Sequence, residues 1–246
     1  MTSDKKEIVL TFDTDWAPPF IIEDIISLIN DIPVTFLLTD KTVQKVLRNV
    51  SNIEIGIHPN FMPDSSHGTS RRQIIEHMLN IVPEAQIVRA HNLVQDSTIL
   101  NLYVEYGLLY DLSLLEYKNL YIKPFRYWNG LIRIPYNFED DIVCVLNEKI
   151  LSIKWIEKAP ILICDFHPIH VFLNSENMER YKTLRNQYDL NRIKPKVIEQ
   201  FVNRESIGIR DLFIGLLKQI NSGIIHPCSV SDLMMTFSEN FGILGK

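Results

Sequence analysis

Short apolar runs alternate with amphipathic stretches along most of this chain, and this alternation constrains its fold more than any other feature. Residues 7–12, 33–38, 53–57 and 85–88 are predicted strands, and stretches with helical spacing follow them. Strands that alternate with helices indicate βα units and a parallel sheet. About seven such units favour a barrel over an open sheet, and the chain lacks the glycine-rich motifs of nucleotide-binding sheets. We therefore predict an α/β fold, a TIM-like barrel in a single domain over residues 1–246.

Composition and charge exclude several classes of protein. The formal net charge of −5 argues against nonspecific binding to nucleic acid, and no window is long and apolar enough to span a bilayer. The chain begins without an apolar signal segment, which predicts a cytoplasmic protein. The three cysteines, Cys144, Cys164 and Cys228, stand apart in the sequence. Reduced thiols are therefore expected rather than a disulfide framework or a structural zinc site.

Polar side chains gather where the predicted strands end. In a barrel the carboxyl ends of the strands meet at one face, where the chemistry takes place. Five of the seven histidines fall in these clusters, so we expect one shared site and leave His77 and His226 as structural residues. The clusters comprise Asp13 and Asp15 after the first strand, His58 and His67 after the third, Arg89 and His91 after the fourth, Tyr110 and Asp111 at the fifth, residues 139–141 after the sixth, and Asp165, His167 and His170 after the strand that begins near residue 161.

The opening pair of carboxylates, Asp13 and Asp15, indicates a metal site. Side chains two residues apart share a face of an extended segment, so both should point into the same space. A catalytic zinc takes about three protein ligands from His, Asp or Glu and keeps a position open for water, whose pKa it can lower to about 7. A second carboxylate can then accept a proton, and a separate histidine can act as the acid. A serine nucleophile is less supported, since the chain has no Gly-x-Ser-x-Gly motif.

Six short stretches occur together in the order that they have in one known family. They are residues 11–16 (TFDTDW), 54–61 (EIGIHPNF), 65–68 (SSHG), 81–85 (IVPEA), 88–91 (VRAH) and 166–170 (FHPIH). On these stretches the chain resembles the polysaccharide deacetylase superfamily, also called the NodB-homology domain. It is most similar to the bacterial branch found among surface-polysaccharide genes.

The resemblance implies both a fold and a set of residue roles. The expected fold is a distorted (β/α)7 barrel, with the motifs in residues 7–174 and C-terminal helices in residues 175–246 completing it. In such enzymes the first aspartate of the opening motif is the catalytic base, here Asp13, and the next binds the metal, here Asp15. By the same resemblance His58 is a metal ligand, Arg89 holds the base in place, and His167 is the acid toward the leaving amine.

The chain departs from the family pattern at three places. The second metal histidine normally follows four residues after the first, and here that position is Met62. We predict His67, in the same loop, as its replacement, with His91 as the alternative. The third motif, normally Arg-x-Pro-Tyr, here has the sequence RAHN over residues 89–92. Thr14 splits the opening aspartate pair, as in branches that act on amide substrates other than chitin.

The resemblance implies a metal-dependent deacetylase, with zinc as the expected ion. Its substrate would be an acetylated carbohydrate, whose N-acetyl amide belongs to a sugar of a bacterial surface polysaccharide or its precursor. Two alternatives stay open: hydrolysis of another carbon–nitrogen bond in a small amide or cyclic ureide, and a catalytically degenerate barrel that binds a glycan or a protein partner. The predicted substrate contacts are His91, Asp140, Asp141, His170 and Trp16, with Trp128 as a further aromatic that could stack on a sugar.

Overall fold

A curled, mostly parallel sheet forms the centre of the protein. The structure, a computed structural model, describes residues 6–241. The strands are β1 (Lys6–Asp13), β2 (Val34–Leu38), β3 (Ile53–Ile57), β4 (Ile87–Val88), β5 (Tyr110–Asp111), β6 (Phe125–Arg126), β7 (Ile132–Arg133), β8 (Phe138–Glu139), β9 (Ile161–Phe166) and β10 (Ile225–Pro227).

The order of the strands in the sheet is that of a distorted barrel. The sheet runs β6-β7-β5-β4-β3-β2-β1-β9-β8, and β10 pairs with the start of β1. The β6–β7 pair is antiparallel, whereas the other strand pairs within residues 6–241 are parallel. From β1 the sheet continues on one side through β2, β3, β4, β5 and β7, and on the other side through β9 and β8. The predicted α/β barrel is confirmed.

Helices and short 3-10 turns follow most of the strands. The α-helices are α1 (Pro19–Ile29), α2 (Gln44–Leu47), α3 (Arg71–Ile81), α4 (Ser97–Glu105), α5 (Asp140–Val145), α6 (Pro168–Leu173), α7 (Glu179–Gln187), α8 (Pro195–Ile198), α9 (Ile209–Asn221) and α10 (Val230–Phe241). Ser70 caps the start of α3, because Ser70 and Gln73 form a reciprocal capping box. Among the described helices, none combines the length and apolar character needed to cross a bilayer.

The two faces of β1 show how the core positions the site. Ile8, Leu10 and Phe12 pack in the large core between the sheet and its helices, whereas Val9 packs in a second core inside the barrel. By strand alternation Thr11 and Asp13 share the face of Val9. The inner face of β1 therefore changes from apolar at its start to polar at its carboxyl end, where the chemistry is expected.

The floor of the barrel is closed by α10. Four of its residues, Val230, Leu233, Met234 and Phe237, belong to the inner core with Val9. Glu54 in β3 accepts hydrogen bonds from the backbone N–H of Val230 at 3.1 Å and from the Thr35 hydroxyl at 2.8 Å. A carboxylate at a helix N-terminus is favourable because it faces unpaired N–H groups and the positive end of the helix dipole.

Two predicted helices begin later than the sequence pattern indicates. The pattern predicts a helix over 204–220, but α9 begins at Ile209, because the Asn203 side-chain oxygen accepts hydrogen bonds from the backbone N–H of Glu205 and Ser206. Such local side-chain bonds compete with helix formation. The helix predicted over 176–188 begins at Glu179 for a related reason, since Asn177 accepts a hydrogen bond from the Glu179 N–H at 2.8 Å.

Candidate metal centre and active site

Three side chains with metal-ligand atoms meet at the carboxyl end of the sheet. Asp15 Oδ1 lies 3.2 Å from His58 Nε2 and 3.0 Å from His91 Nδ1, and the two ring nitrogens are 3.2 Å apart. Two ligands that bind zinc at about 2.0–2.1 Å in tetrahedral geometry lie about 3.3 Å from each other. The three atoms therefore approximate the triangular face that a tetrahedral cation requires, and a fourth position stays open. We call these residues the Asp15–His58–His91 cluster.

The chemistry of this cluster also fits a divalent cation. One carboxylate and two imidazoles are typical ligands of catalytic zinc. Asp15 Oδ1 is buried and makes no aligned hydrogen bond with the described residues, although both rings are close. Burial alone raises the pKa of Asp15, but the imidazoles of His58 and His91 outweigh this effect and hold that pKa well below its usual range. Asp15 is thus a half-buried anion whose buried Oδ1 faces two ring nitrogens.

A tight turn, and not strand alternation, brings Asp15 to the cluster. Asp13 and Asp15 point into one cavity as predicted, but they do not share a face of one extended segment, because β1 ends at Asp13 and Asp15 has a φ of 39°. Thr14 directs this turn: its N–H donates to Leu37 O at 3.1 Å, and its hydroxyl accepts from the Thr39 N–H at 2.9 Å. The residue that splits the aspartate pair therefore fastens the turn to the end of β2.

His58 and His91 reach the cluster because they lie just past two neighbouring strands. The His58 N–H donates to Leu38 O at 2.7 Å, and the His91 N–H donates to Pro59 O at 3.0 Å, which extends the ladder of β2, β3 and β4. His58 Nδ1 is 3.4 Å from Asp13 Oδ2. A carboxylate on this side of the ring favours a proton on Nδ1 and leaves Nε2 free as a ligand.

His67, the predicted second metal histidine, lies outside this cluster. Its Nδ1 accepts a hydrogen bond from the Asn60 N–H at 3.1 Å, and its ring stacks on His77 with centroids 5.3 Å apart. Burial, with the charges of nearby histidines, lowers the pKa of His67 to about 4. The structure brings His91 to Asp15 and His58 instead, because the His67 lone pair is occupied by its own loop. Met62, at the family position, is 39% exposed.

Arg89 holds the predicted base in the barrel interior. Its guanidinium is fully buried, donates to Asp13 Oδ1 at 2.9 Å and to the Thr11 hydroxyl at 2.8 Å, and lies 4.4 Å from the centre of the Tyr136 ring. Burial lowers the pKa of Arg89, but the charges of Asp13 and Asp165 outweigh this effect, so the group stays charged. This geometry matches the role that the family resemblance implies for Arg89.

Asp165 belongs to a polar cluster that the sequence predicts, but the sequence pattern assigned it no role in the site. It lies in β9 beside Thr11 in register, and its Oδ1 is 2.7 Å from the same Arg89 nitrogen that binds Asp13. One guanidinium thus faces two carboxylates. Burial raises the pKa of Asp165 well above its usual range, so Asp165 is the one expected to hold a proton. The signal in the sequence is its position two residues after Ile163, on the inner face of a strand.

The predicted acid, His167, is oriented by Asp140. Asp140 Oδ1 lies 2.7 Å from His167 Nδ1, and Oδ2 accepts from the His167 N–H at 2.8 Å. His167 Nε2 is 3.6 Å from Asp15 Oδ2, so the free end of the ring faces the metal cluster. Burial lowers the pKa of His167, but Asp141 and Asp140 outweigh it and raise this pKa well above the usual value.

Two of the predicted substrate contacts are placed behind the site. Asp140 is fully buried against His167, and His170 is 1% exposed, with Nε2 2.6 Å from Asp141 Oδ1 and Nδ1 2.9 Å from the Ser175 hydroxyl. That burial corrects the prediction that they touch substrate. Asp141 is 34% exposed at its side chain, and the nearby His167 and His170 lower its pKa to about 2 despite burial.

A small cavity of about 50 Å³ lies at the centre of these groups. It has room for roughly three or four water-sized groups. Of the predicted aromatic contacts, Trp16 does not line this cavity, but its ring lies 5.2 Å from that of His91, which does, and is nearly perpendicular to it. Trp128 is 70% exposed in the turn between β6 and β7 and does not line this cavity. The cavity is lined by Asp13, Asp15, His58, residues 90–93, Tyr136, Glu139, Asp141, Asp165 and His167.

Comparison with solved structures identifies the class of protein to which this fold and this site belong. A Bordetella bronchiseptica protein, provisionally described as a polysaccharide deacetylase involved in O-antigen biosynthesis, is 33% identical, with a TM-score of 0.79 over 87% of this chain and 91% of that chain. The peptidoglycan deacetylase PdaC of Bacillus subtilis is 12% identical, with a TM-score of 0.51 over 100% of both chains. The second likeness shows the fold alone. A search of curated proteins found no match.

The family model narrows this class. The model of the WbmS-like polysaccharide deacetylases matches residues 10–185. This chain therefore belongs to the WbmS-like polysaccharide deacetylase family, within the surface-polysaccharide branch of the NodB-homology superfamily that its motifs predict.

Proposed function

We propose that this protein is a divalent-metal-dependent deacetylase that hydrolyses the N-acetyl amide of a sugar in a bacterial surface polysaccharide or its precursor. The observation that carries this proposal is the position of the Asp15–His58–His91 cluster between a buried carboxylate and a buried imidazole. Asp13 lies on one side, 3.4 Å from His58. His167 lies on the other, 3.6 Å from Asp15. Family membership supports carbohydrate deacetylation as the reaction.

Asp13 acts as the base in this proposal. Arg89 binds one oxygen of Asp13, and the other oxygen faces the cluster through His58. Asp13 is therefore a fixed acceptor for a proton of the attacking water. Asp165 contacts the same guanidinium, and its raised pKa favours the neutral acid. The positive charge of Arg89 is then balanced by Asp13.

His167 acts as the acid toward the departing nitrogen. Asp140 binds its Nδ1, so Nε2 is the atom that faces the cavity and gives up the proton. The raised pKa of His167 keeps it protonated before the amide bond breaks. Carboxylate-oriented imidazoles of this kind hold their tautomer and direction during proton transfer.

The cluster would hold the cation through Asp15 Oδ1, His58 Nε2 and His91 Nδ1, and zinc is the ion that we expect. When bound, such an ion supplies Lewis-acid chemistry at a carbonyl oxygen and lowers the pKa of a water molecule. The alternative of a catalytically degenerate barrel depends on Met62 standing at the family's ligand position. Because His91 completes a three-ligand cluster, we favour the hydrolytic function.

Removal of metal tests this function directly. We expect chelation to lower the rate of acetate release from N-acetylated sugars by more than about 100-fold, and added zinc to restore it, since loss of an outer contact alone typically costs 10–100-fold. As a matched control, Asp13→Asn should retain the metal yet lose about 10²–10⁴-fold in kcat. Full hydrolytic activity in metal-free protein would contradict the proposal.

The pH profile tests the pairing of Asp140 with His167. In Asp140→Asn one of the carboxylate charges that raise the pKa of His167 is lost, so that pKa should fall. An acid must be protonated to act, and activity is lost as pH rises through its pKa. The alkaline limb of the kcat profile should therefore shift to lower pH, as measured by acetate release across pH 6–10, a range of about four units. An unshifted limb with an unchanged kcat would exclude this role for Asp140.

A further inference from the structure

We infer that a cleft beside the metal centre binds the rest of an N-acetylated oligosaccharide, so that the substrate is a neutral glycan of two or more sugars. The cleft has a volume of about 650 Å³. We call it the Trp16 cleft, and it is lined by Trp16, Asn60, Asp64, Ser66 and residues 185–191. The inference rests on the proposed function, because it assigns the part of the substrate that does not react.

The sizes of the two cavities define what each can hold. The central cavity, about 50 Å³, is filled by a group the size of an acetamide, which has four non-hydrogen atoms. The Trp16 cleft falls within the range of roughly 300–1,000 Å³ that is typical of sites for larger ligands. Trp16 joins the two, since it lines the cleft and its ring lies 5.2 Å from that of His91. A sugar whose acetyl group enters the centre therefore meets the cleft with its next residue.

One wall of the cleft is the loop that follows β3. His67 holds this loop from behind, because its Nδ1 accepts a hydrogen bond from the Asn60 N–H at 3.1 Å. The Asn60 side chain in turn accepts from the Met62 N–H at 2.9 Å. These bonds fix the loop before any ligand arrives, which reduces the entropic cost of binding. His67 thus has a positioning role here that fits its burial.

The opposite wall, residues 185–191, is also anchored. Leu190 is buried, and the Tyr188 ring packs edge-to-face on Phe201 with centroids 6.0 Å apart. Asp189 accepts a hydrogen bond from the Asn191 N–H at 3.0 Å and so caps a short 3-10 turn, Leu190–Arg192. The family model ends at residue 185. This wall therefore lies almost entirely beyond the part of the chain that the family model matches.

The lining indicates the chemistry of the ligand. Amide side chains that donate and accept, together with indole and phenol rings, suit the hydroxyl groups and apolar faces of neutral sugars. The charged lining residues are two carboxylates, Asp64 and Asp189, and one guanidinium, Arg185. A diphosphate would face this net negative charge, which disfavours a nucleotide-linked monosaccharide. The amide and aromatic lining residues are Asn60, Asn186, Gln187, Asn191, Trp16 and Tyr188.

Ligand binding separates this inference from the proposed function. The zinc-loaded protein with Asp13→Asn, which slows turnover, is titrated by calorimetry with monomers and trimers of N-acetylglucosamine, N-acetylgalactosamine and N-acetylmannosamine, and with UDP-N-acetylglucosamine. We expect at least one trimer to bind about tenfold or more tightly than its monomer. Two variants should abolish that advantage of the trimer: the double variant Asn186→Ala/Asn191→Ala, which removes two amides, and the single variant Asn191→Trp, which fills the cleft. Asn221→Ala, an exposed asparagine at the end of α9 outside the cleft, should preserve it.

Each result bears on one of the two claims. Any of three results would overturn the assignment of the cleft. Trimers could bind no more tightly than monomers, or the preference for trimers over monomers could survive in the cleft variants. The nucleotide sugar could also bind more tightly than every trimer. Acetate release by the zinc-loaded protein with aspartate at position 13 is measured on the same sugars. Cleft-dependent binding without acetate release would refute the proposed function and leave the assignment of the cleft to a neutral oligosaccharide intact.

Discussion

Replacement of His91 by alanine should prevent the binding of a divalent cation and lower kcat by more than about 100-fold. His91 Nδ1 is 3.0 Å from Asp15 Oδ1 and 3.2 Å from His58 Nε2, so the variant deletes one corner of the ligand triangle. Two remaining ligands hold zinc poorly, since catalytic zinc sites have about three protein ligands. Metal stoichiometry by elemental analysis, with acetate release on the same samples, measures both effects.

The matched control for His91 is His67. His67→Ala should keep the metal, because its Nδ1 is bonded to the Asn60 N–H and its ring stacks on His77. The two variants remove the same imidazole from residues that the sequence alone does not distinguish as ligands. Loss of metal in His67→Ala together with retention in His91→Ala would reverse our assignment of the third ligand.

Arg89→Met should destabilise the protein by about 3–5 kcal/mol, the usual cost of removing one partner of a buried ion pair. The guanidinium is fully buried and serves two carboxylates, those of Asp13 at 2.9 Å and Asp165 at 2.7 Å. Methionine replaces the aliphatic part of the arginine side chain but leaves the Asp13 carboxylate without a counterion. The free energy of unfolding in urea measures the loss, and activity should fall as well because Asp13 is no longer held.

An exposed arginine provides the comparison for Arg89. Arg72 forms a two-point ion pair with Glu105 on the surface, where solvent screens the charges. Arg72→Met should therefore leave the free energy of unfolding nearly unchanged. A cost for Arg89→Met as small as that for Arg72→Met would show that the buried charges are not coupled in the way that the structure indicates.

The barrel could be predicted from the sequence because its strands carry unambiguous patterns. β2 is buried at every residue and β1 at all but its first two, so their apolar runs stand out. The shorter strands gave weaker signals. β6 and β8 have two residues each, which is too short to show the alternation of apolar and polar residues that marks a strand. β8 also leads directly into α5. The polar strand ends were sufficient to predict that the site lies at one face.

The choice between His67 and His91 could not be made from the sequence, because it depends on loop geometry. Proximity along the chain favours His67, which is in the loop after His58. Hydrogen bonds within that loop occupy its Nδ1, whereas the extension of β4 past Arg89 delivers His91 to Asp15. The sequence pattern likewise predicted Asp140 as a substrate contact. It could not show the pairing with His167, which lies far away in the chain and meets Asp140 only in the folded barrel.

The closure of the barrel floor by α10 has a consequence for biosynthesis. β1 pairs with β10, and the inner core that contains Val9 is completed by residues of α10, so elements from opposite ends of the described chain depend on each other. A nascent chain that has made β1 to β9 still lacks the helix that covers its apolar interior. Contacts between residues so far apart in the sequence slow folding and prolong the exposure of aggregation-prone apolar surface. Completion of this core thus has to await the synthesis of α10.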